Sequence, residues 1–493
     1  MKPMISLRSA RTTALAVALL ALGGVAAPIL ADDGCLGDNP LSDQGILELA
    51  PGVDINEILT DPFYVEREFT LRDSIPSRGI YLVSHNSLMT HDEFEMLFIN
   101  DSRVDHSELN YDSGDPGGGT QSIFLFTAPG EFQNQPVITT LGLEGAQGVV
   151  TGAGVTIAVI DSGVDPTHGQ IAGRLAPGGI AFLFNPDDAS YDPDDWVDQC
   201  NGIDDDNDAL LDEAVGHGTA VAALSLLVAP DAKVLPIRVL NDEGYTTAFR
   251  VAKAIYYAMD QGVEVVNLSL STCADLRIIE RAVDDAVRLG IIVVAAAGNH
   301  EMDSHDNPEF PAAMSKVAGV VATDLDGHVA SFSNYGRDYI VAAPGVEIIS
   351  AIPNEASCGP ALPGSNYGEA DGTSFAAPLV AGTAALLIEK GSVLRWNDFR
   401  DAMRETTTPI GAQNPDLSDP VGEGLLDVEA AVAWPGPCHA DFSDDGRLDF
   451  TDVTLFLQGF VTGDDEADMA APRGEHDFSD VVRFLEFFVA GCP

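Results

Sequence analysis

Three short stretches carry an acid, a base and a nucleophile in that order. Asp161 follows Val159 and Ile160 and precedes Ser162 and Gly163; His217 stands between Gly216 and Gly218; Ser374 stands in the run Gly372, Thr373, Ser374, Phe375, Ala376. A serine hydroxyl is a weak nucleophile until an imidazole takes its proton, and a carboxylate must orient that imidazole and stabilise its cation. The order Asp, His, Ser is one in which such triads occur. Small neighbours leave each side chain room and let a substrate approach. The chemistry implied is acyl transfer. Its developing oxyanion needs donors, and the Ser374 N–H at a helix start and the Asn299 amide are the candidates. A donor of this kind contributes roughly 3–4 kcal/mol in such sites.

The elements that must position these groups alternate between strand and helix. Continuous apolar runs at 155–160, 233–240, 263–270 and 291–297 fit strands buried on both faces, with further strands at 317–322 and 339–343. Helical spacing marks 246–261, 276–289 and 374–390, the last two closed by Gly290 and Gly391. The fold expected is α/β, a doubly wound and mostly parallel sheet. Asp161 then ends a strand at the carboxyl edge, where loops and sites gather. A small α+β segment precedes this unit, with strands at 64–71, 79–84 and 103–109, a helix at 91–100 and a Gly-rich loop at 112–120. A small helical calcium-loop domain follows it.

The segment from about 130 to 434 resembles the subtilisin-like serine proteases in the order and context of these motifs. The resemblance implies Asp161, His217 and Ser374 as the triad and Asn299 as the oxyanion asparagine. It implies that Ser269, Leu270 and Ser271 form the strand that pairs with substrate backbone. Protein or peptide substrates, cleaved through an acyl-enzyme intermediate, are the corresponding expectation. Phe310, Pro311 and Ala312, the run 331–334 and the run 343–345 also match family stretches. There are departures: Ala220 replaces a common second histidine, Phe375 a common methionine, and Ser271 a common glycine beside the pocket for the residue before the cleaved bond. Cys273 follows directly. The contrasting reading is a non-catalytic surface scaffold or binding protein on a protease fold.

Gross features set the surroundings of this chemistry. The 493 residues are too many for one core. With 24 basic and 77 acidic residues, the formal charge of −53 excludes nucleic acid and anionic lipid as partners. Lys2, Arg8 and Arg11 precede an apolar run at 14–27 and small residues at Ala26, Ala27 and Ala31, as in a secretory leader. The expected product is secreted or surface-bound, with no membrane span once the leader is removed. Export favours disulfides among Cys35, Cys200, Cys273, Cys358, Cys438 and Cys492; Cys438 with Cys492, which bracket the last segment, is the pair expected. The organisation expected is a leader at 1–31, a propeptide or accessory domain at 32–130, a catalytic domain at 131–434 and a tail domain at 438–493. The propeptide reading follows from relatives of the resembled family, which carry such a segment here.

Two acidic loops suggest Ca2+. Asp204, Asp206, Asp208 and Asp212 alternate within one short loop, although Ala209 stands where a calcium loop often has glycine. In the tail, Asp441, Ser443, Asp445, Gly446, Asp449 and Asp452 fall at calcium-loop positions 1, 3, 5, 6, 9 and 12, and Arg447 offers its carbonyl at position 7. Asp449, Phe450, Thr451, Asp452 and Val453 recur as Asp477, Phe478, Ser479, Asp480 and Val481. This repeat of a loop and a helix resembles a dockerin, which implies a cohesin-like or cell-surface partner. The second copy, from Asp468 to Asp480, is one residue longer and has Ala470 and Pro472 where ligands are wanted. One formed site and one degenerate unit are therefore expected.

Overall fold

The computed structural model describes residues 40–86, 88–114, 125–127, 129–183, 193–198, 214–353, 366–417, 419–443, 445–470 and 476–491. The leader read at 1–31 and the acidic loop carrying Asp204, Asp206, Asp208 and Asp212 lie outside them. Among the described residues no helix is long and apolar enough to cross a membrane.

The amino-terminal segment is a sheet of β1 (Pro40–Leu49), β2 (Thr70–Ile75), β3 (Ile80–Ser84) and β4 (Val104–Gly114), with α1 (His91–Phe98) packed on it. The spatial order is β2, β3, β1, β4, with antiparallel pairs throughout. Leu47, Ile58, Val83, Phe94 and Leu109 are buried in its core. The strand expected at 64–71 is not formed. Asp61 accepts the Phe63 N–H and Pro62 opens a short helix, Pro62–Val65, so the strand begins only at Thr70. Proline in the first helical turn favours that start, because its missing N–H would be unpaired there anyway.

A short strand, β5 (Leu125–Phe126), leads into the main unit. There an eight-stranded sheet is built from β6 (Thr156–Asp161), β7 (Ile180–Ala181), β8 (Lys233–Arg238), β10 (Val265–Leu268), β11 (Ile292–Ala296), β12 (Ala318–Thr323), β13 (Val341–Pro344) and β16 (Gly424–Leu425). Its order is β16, β13, β12, β11, β10, β6, β8, β7, and every pair is parallel. Between these, β9 (Tyr245–Thr247) joins the edge of the amino-terminal sheet, while β14 (Ile348–Ala351) and β15 (Tyr367–Ala370) form a small sheet with β5.

Period-two alternation explains why these strands are apolar along their whole length. Ile157 and Val159 enter one core layer, and Ala158 and Ile160 enter the other. The first layer is covered by α2 (His217–Val228) and α5 (Thr373–Lys390). The second is covered by α3 (Ala248–Asp260) and α4 (Arg277–Arg288). A sheet buried on both faces by helices is the doubly wound arrangement expected of parallel strands. Between its central helix α5 and the tail lies α6 (Trp396–Thr406).

The tail repeat is two helices, α7 (Phe450–Thr462) and α8 (Phe478–Ala490). Asp449 and Asp477 cap them, each answered by an acid three residues on, Asp452 and Asp480. The equivalent rings Phe456 and Phe484 stack with centroids 4.1 Å apart. Sequence repetition thus becomes a pair of like units packed through these rings, with Phe442 edge-on to both.

The amino-terminal sheet docks on the beginnings of α3 and α4. Glu108, 3% exposed, accepts the N–H groups of Arg277 and Ile278 at 3.2 and 2.9 Å. Asn110 accepts the Phe249 N–H at 3.2 Å. Ion pairs join Lys253 to Asp73 at 2.6 Å and Arg281 to Glu48. The expected loop at 112–120 begins instead as strand, since Asp112, Ser113 and Gly114 pair with Thr247, Thr246 and Tyr245. Side-chain acceptors at a helix start satisfy N–H groups that have no partner within the helix. Glu108→Ala is therefore expected to cost roughly 1–2 kcal/mol in urea unfolding of the full-length chain; an unchanged midpoint would contradict this docking.

Candidate active site

The carboxyl edge of the parallel sheet collects the candidate groups. Asp161 is the last residue of β6, and His217 is the first of α2. Asn299 follows β11, and Ser269 to Ser271 follow β10. Ser374 is the second residue of α5. The helix starts one residue earlier than expected, at Thr373, with Gly372 before it.

Asp161 and His217 meet as a buried pair. The separation from His217 Nδ1 to Asp161 Oδ1 is 2.8 Å, and both side chains are 1% exposed. Facing a carboxylate, Nδ1 carries the proton, which directs Nε2 away as the basic atom. Asp161 Oδ1 also accepts the Ser162 N–H at 2.7 Å. Close approach of helix to strand requires glycine at 218, where a Cβ would stand 2.1 Å from the Gly163 carbonyl oxygen.

Asp198 anchors the histidine helix. No side chain at Gly216 caps α2. Asp198 does so from a distant segment: it accepts the Gly216 N–H at 3.0 Å, the Thr219 N–H at 3.3 Å and the Thr219 hydroxyl at 2.5 Å. Among the three acids in 194–198, nothing in the sequence marks this one. A polar position pointing into the helix start is visible only in three dimensions.

Ser374 is 2% exposed, and its Oγ has no hydrogen-bond partner among the described residues. The His217 ring lies 5.6 Å from the ring of Phe375, the residue after Ser374. Ser269 Oγ donates to the Ser374 carbonyl oxygen at 2.9 Å and accepts from Asn267 Nδ2 at 3.0 Å. That bond joins the expected substrate strand to the backbone of Ser374. Ser269 and Leu270 are fully buried. Ser271 Oγ bonds inward, to Glu309.

Asn299 is oriented by its neighbour. Its Oδ1 accepts both the N–H and the hydroxyl of Thr373, each at 2.9 Å. With the oxygen so held, Nδ2 must present the donors, and it lies beside Gly372. Thr373 carries no signal of its own in the sequence beyond its place in the serine motif; its part is to set the flip of the amide.

In the tail loop the acids turn to the loop's own amides. Asp441 accepts from Asp445 N and Gly446 N at 3.2 and 2.7 Å and from Ser443 Oγ at 3.2 Å. Asp445 accepts from Arg447 N, Asp449 from Thr451 N, and Asp452 from Ser443 N and Asp449 N. Among the described residues no group of three or more His, Cys, Asp or Glu side chains is arranged to hold a metal ion. Cys273 and Cys438 are both disulfide-bonded; Cys492, expected to pair with Cys438, lies outside the described residues.

Burial pushes the Asp198 carboxyl up to about 7 from 3.8, against the pull of the Thr219 and Gly216 donors. From about pH 4 to pH 7 the folded chain then holds a proton that the unfolded chain has released. Stability falls as pH rises through that window. Asp198→Asn removes this titration. Urea unfolding is expected to show the variant gaining on the wild type by roughly 2–4 kcal/mol between those pH values; a pH-independent difference would contradict the assignment.

Comparison with known proteins accords with this geometry. The model of the subtilase family matches residues 152–424, which carry every candidate named at the sheet edge. Thermitase of Thermoactinomyces vulgaris is 35% identical over 272 residues, covering 53% of this chain and 84% of thermitase. Subtilisin DY of Bacillus licheniformis is 33% identical over 291 residues, covering 57% and 92%. Among solved structures, fervidolysin of Fervidobacterium pennivorans, a keratinolytic enzyme related to subtilisin, superposes with a TM-score of 0.63. That likeness spans 82% of this chain and 62% of fervidolysin at 22% identity, and it concerns the fold. A sheet edge of this architecture, within a segment that matches the family over more than half the chain, makes this protein a member of the subtilase family and a serine-type endopeptidase.

Proposed function

We propose that Asp161, His217 and Ser374 are the catalytic triad and that Asn299 with the Ser374 N–H stabilises the oxyanion. The observation that carries this reading is the buried 2.8 Å contact between Asp161 and His217 at the edge where α5 begins. His217 Nε2 takes the Ser374 proton as Oγ bonds to the substrate carbonyl carbon. The carbonyl oxygen becomes an anion held by Asn299 Nδ2 and the Ser374 amide. The C–N bond then breaks, and the amine leaves with the proton from His217. Water, deprotonated by the same nitrogen, attacks the acyl ester and returns Ser374 to its alcohol. Asp161 keeps its negative charge throughout and stabilises the transient imidazolium.

The amino-terminal sheet supplies the next part of the proposal. Helices α3 and α4 both begin at the carboxyl edge, so a sheet that caps their N–H groups sits on the side of the molecule that holds the site. This supports a segment that assists folding of the catalytic unit and is afterwards removed. Export, indicated by the basic and apolar leader pattern, places the product outside the cell. For the tail we propose a dockerin-like attachment module that binds Ca2+ at 441–452; ligand order along the chain and the duplicated capped helices support it.

Substitutions separate these roles. Ser374→Ala is expected to abolish peptide hydrolysis and fluorophosphonate labelling of the processed protein; labelling that survives would remove Ser374 from the site. Asn299→Leu is expected to lower kcat about 100- to 1000-fold with little change in KM. A change in KM alone would assign Asn299 to substrate binding. Chelation is expected to lower Tm, because a ligand that binds only the native state stabilises it by mass action; an unaltered Tm would argue against Ca2+ at either acidic loop.

A further inference from the structure

Glu309 is fully buried, and its carboxylate touches both segments that would enclose the substrate. Ser271, at the end of the proposed substrate strand, donates its hydroxyl to Glu309 Oε2 at 2.7 Å. On the opposite side a Cβ built on Gly298, next to Asn299, would fall 2.2 Å from the same oxygen. His300 Nδ1 and Asn334 Nδ2 hold Oε1 at 2.7 and 2.5 Å. Main-chain bonds from Phe310 N to Thr272 O and from Thr272 N to Phe310 O, at 2.8 and 2.9 Å, fix Glu309 beside Ser271.

The position has a consequence for selectivity, which rests on the triad reading above. A substrate whose main chain follows 269–271 and whose cleaved carbonyl meets Asn299 must place the preceding side chain between those two segments. There it meets Ser271, a residue 4% exposed whose hydroxyl is bonded to Glu309. Because that hydroxyl gives its proton to Glu309, it can only accept from a third group. An accepting oxygen backed by a carboxylate suits a side chain that only donates and carries positive charge, since charge-assisted bonds are the stronger ones. The formal charge of −53 also favours the approach of cationic peptides.

We propose that Glu309, acting through Ser271, makes this protease prefer lysine or arginine immediately before the cleaved bond. Glu309 is here a positioning residue: it orients and polarises the hydroxyl that the substrate meets. Ser271 stands out in the sequence as a departure at the pocket wall, whereas no motif marks Glu309.

The test uses the processed, full-length protein and peptides that differ only in that residue, with kcat and KM read separately. The wild type is expected to cleave the arginine and lysine peptides at least about tenfold faster, in kcat/KM, than the leucine peptide. Glu309→Gln is expected to lower the arginine-to-leucine ratio roughly 10- to 100-fold, mainly through KM. Ser271→Ala should lower the same ratio, and it decides the matter should the buried Glu309→Gln variant fail to fold. A wild-type preference for leucine, or a ratio unmoved by Ser271→Ala, would overturn the proposal while leaving the protease site intact. Absence of fluorophosphonate labelling at Ser374 would overturn the site itself, and this inference with it.

Discussion

A carboxylate and an imidazole, each 1% exposed and 2.8 Å apart, are the contact on which the rest of this structure depends. Burying a charge is costly unless it is paired and hydrogen-bonded. Asp161 meets that condition through His217 and the Ser162 N–H. The two members of the pair come from a strand end and a helix start 56 residues apart. The fold must therefore hold β6 and α2 in fixed relation. Continuous apolar strands, buried on both faces, give the rigid edge that does so. Asp198 adds a second hold, since it ties the start of α2 through Gly216 and Thr219.

The same logic extends outward from the site. Ser269 fixes the carbonyl of Ser374, and Thr373 fixes the amide of Asn299. Neither of these contacts takes part in bond making. Each sets the direction of a group whose value depends on aim, because preorganised donors stabilise charge only where it develops. Glu309 is a third case of the same kind, and its hold is on the end of the expected substrate strand, through Ser271. At the periphery, Glu108 and Asn110 satisfy helix-start N–H groups from another sheet, so the amino-terminal unit docks by capping.

Legibility in the sequence follows the physics of each element. Strands buried on both faces read as unbroken apolar runs, and those of the main sheet lie close to their expected bounds. The candidate triad is visible because glycine and small residues frame it in three places. By contrast β1 does not show in the sequence. Its pairing with β4 shifts register between Leu41 and Gly45, so its side chains do not alternate simply along the chain. The helix Pro62–Val65 is hidden by aromatic and β-branched residues that look extended, although Asp61 and Pro62 carry the start signal. Asp198 and Glu309 are invisible for another reason. A buried acid among 77 acidic residues has no local signature, and its role comes entirely from what surrounds it.

Nitrogen NMR of the protein labelled in its histidines tests the central claim most directly. The account predicts that neutral His217 carries its proton on Nδ1, bonded to Asp161, with Nε2 bare, and that Asp161→Asn disturbs this tautomer. A proton on Nε2 in the wild type, or an Nδ1 signal indifferent to Asp161→Asn, would contradict it.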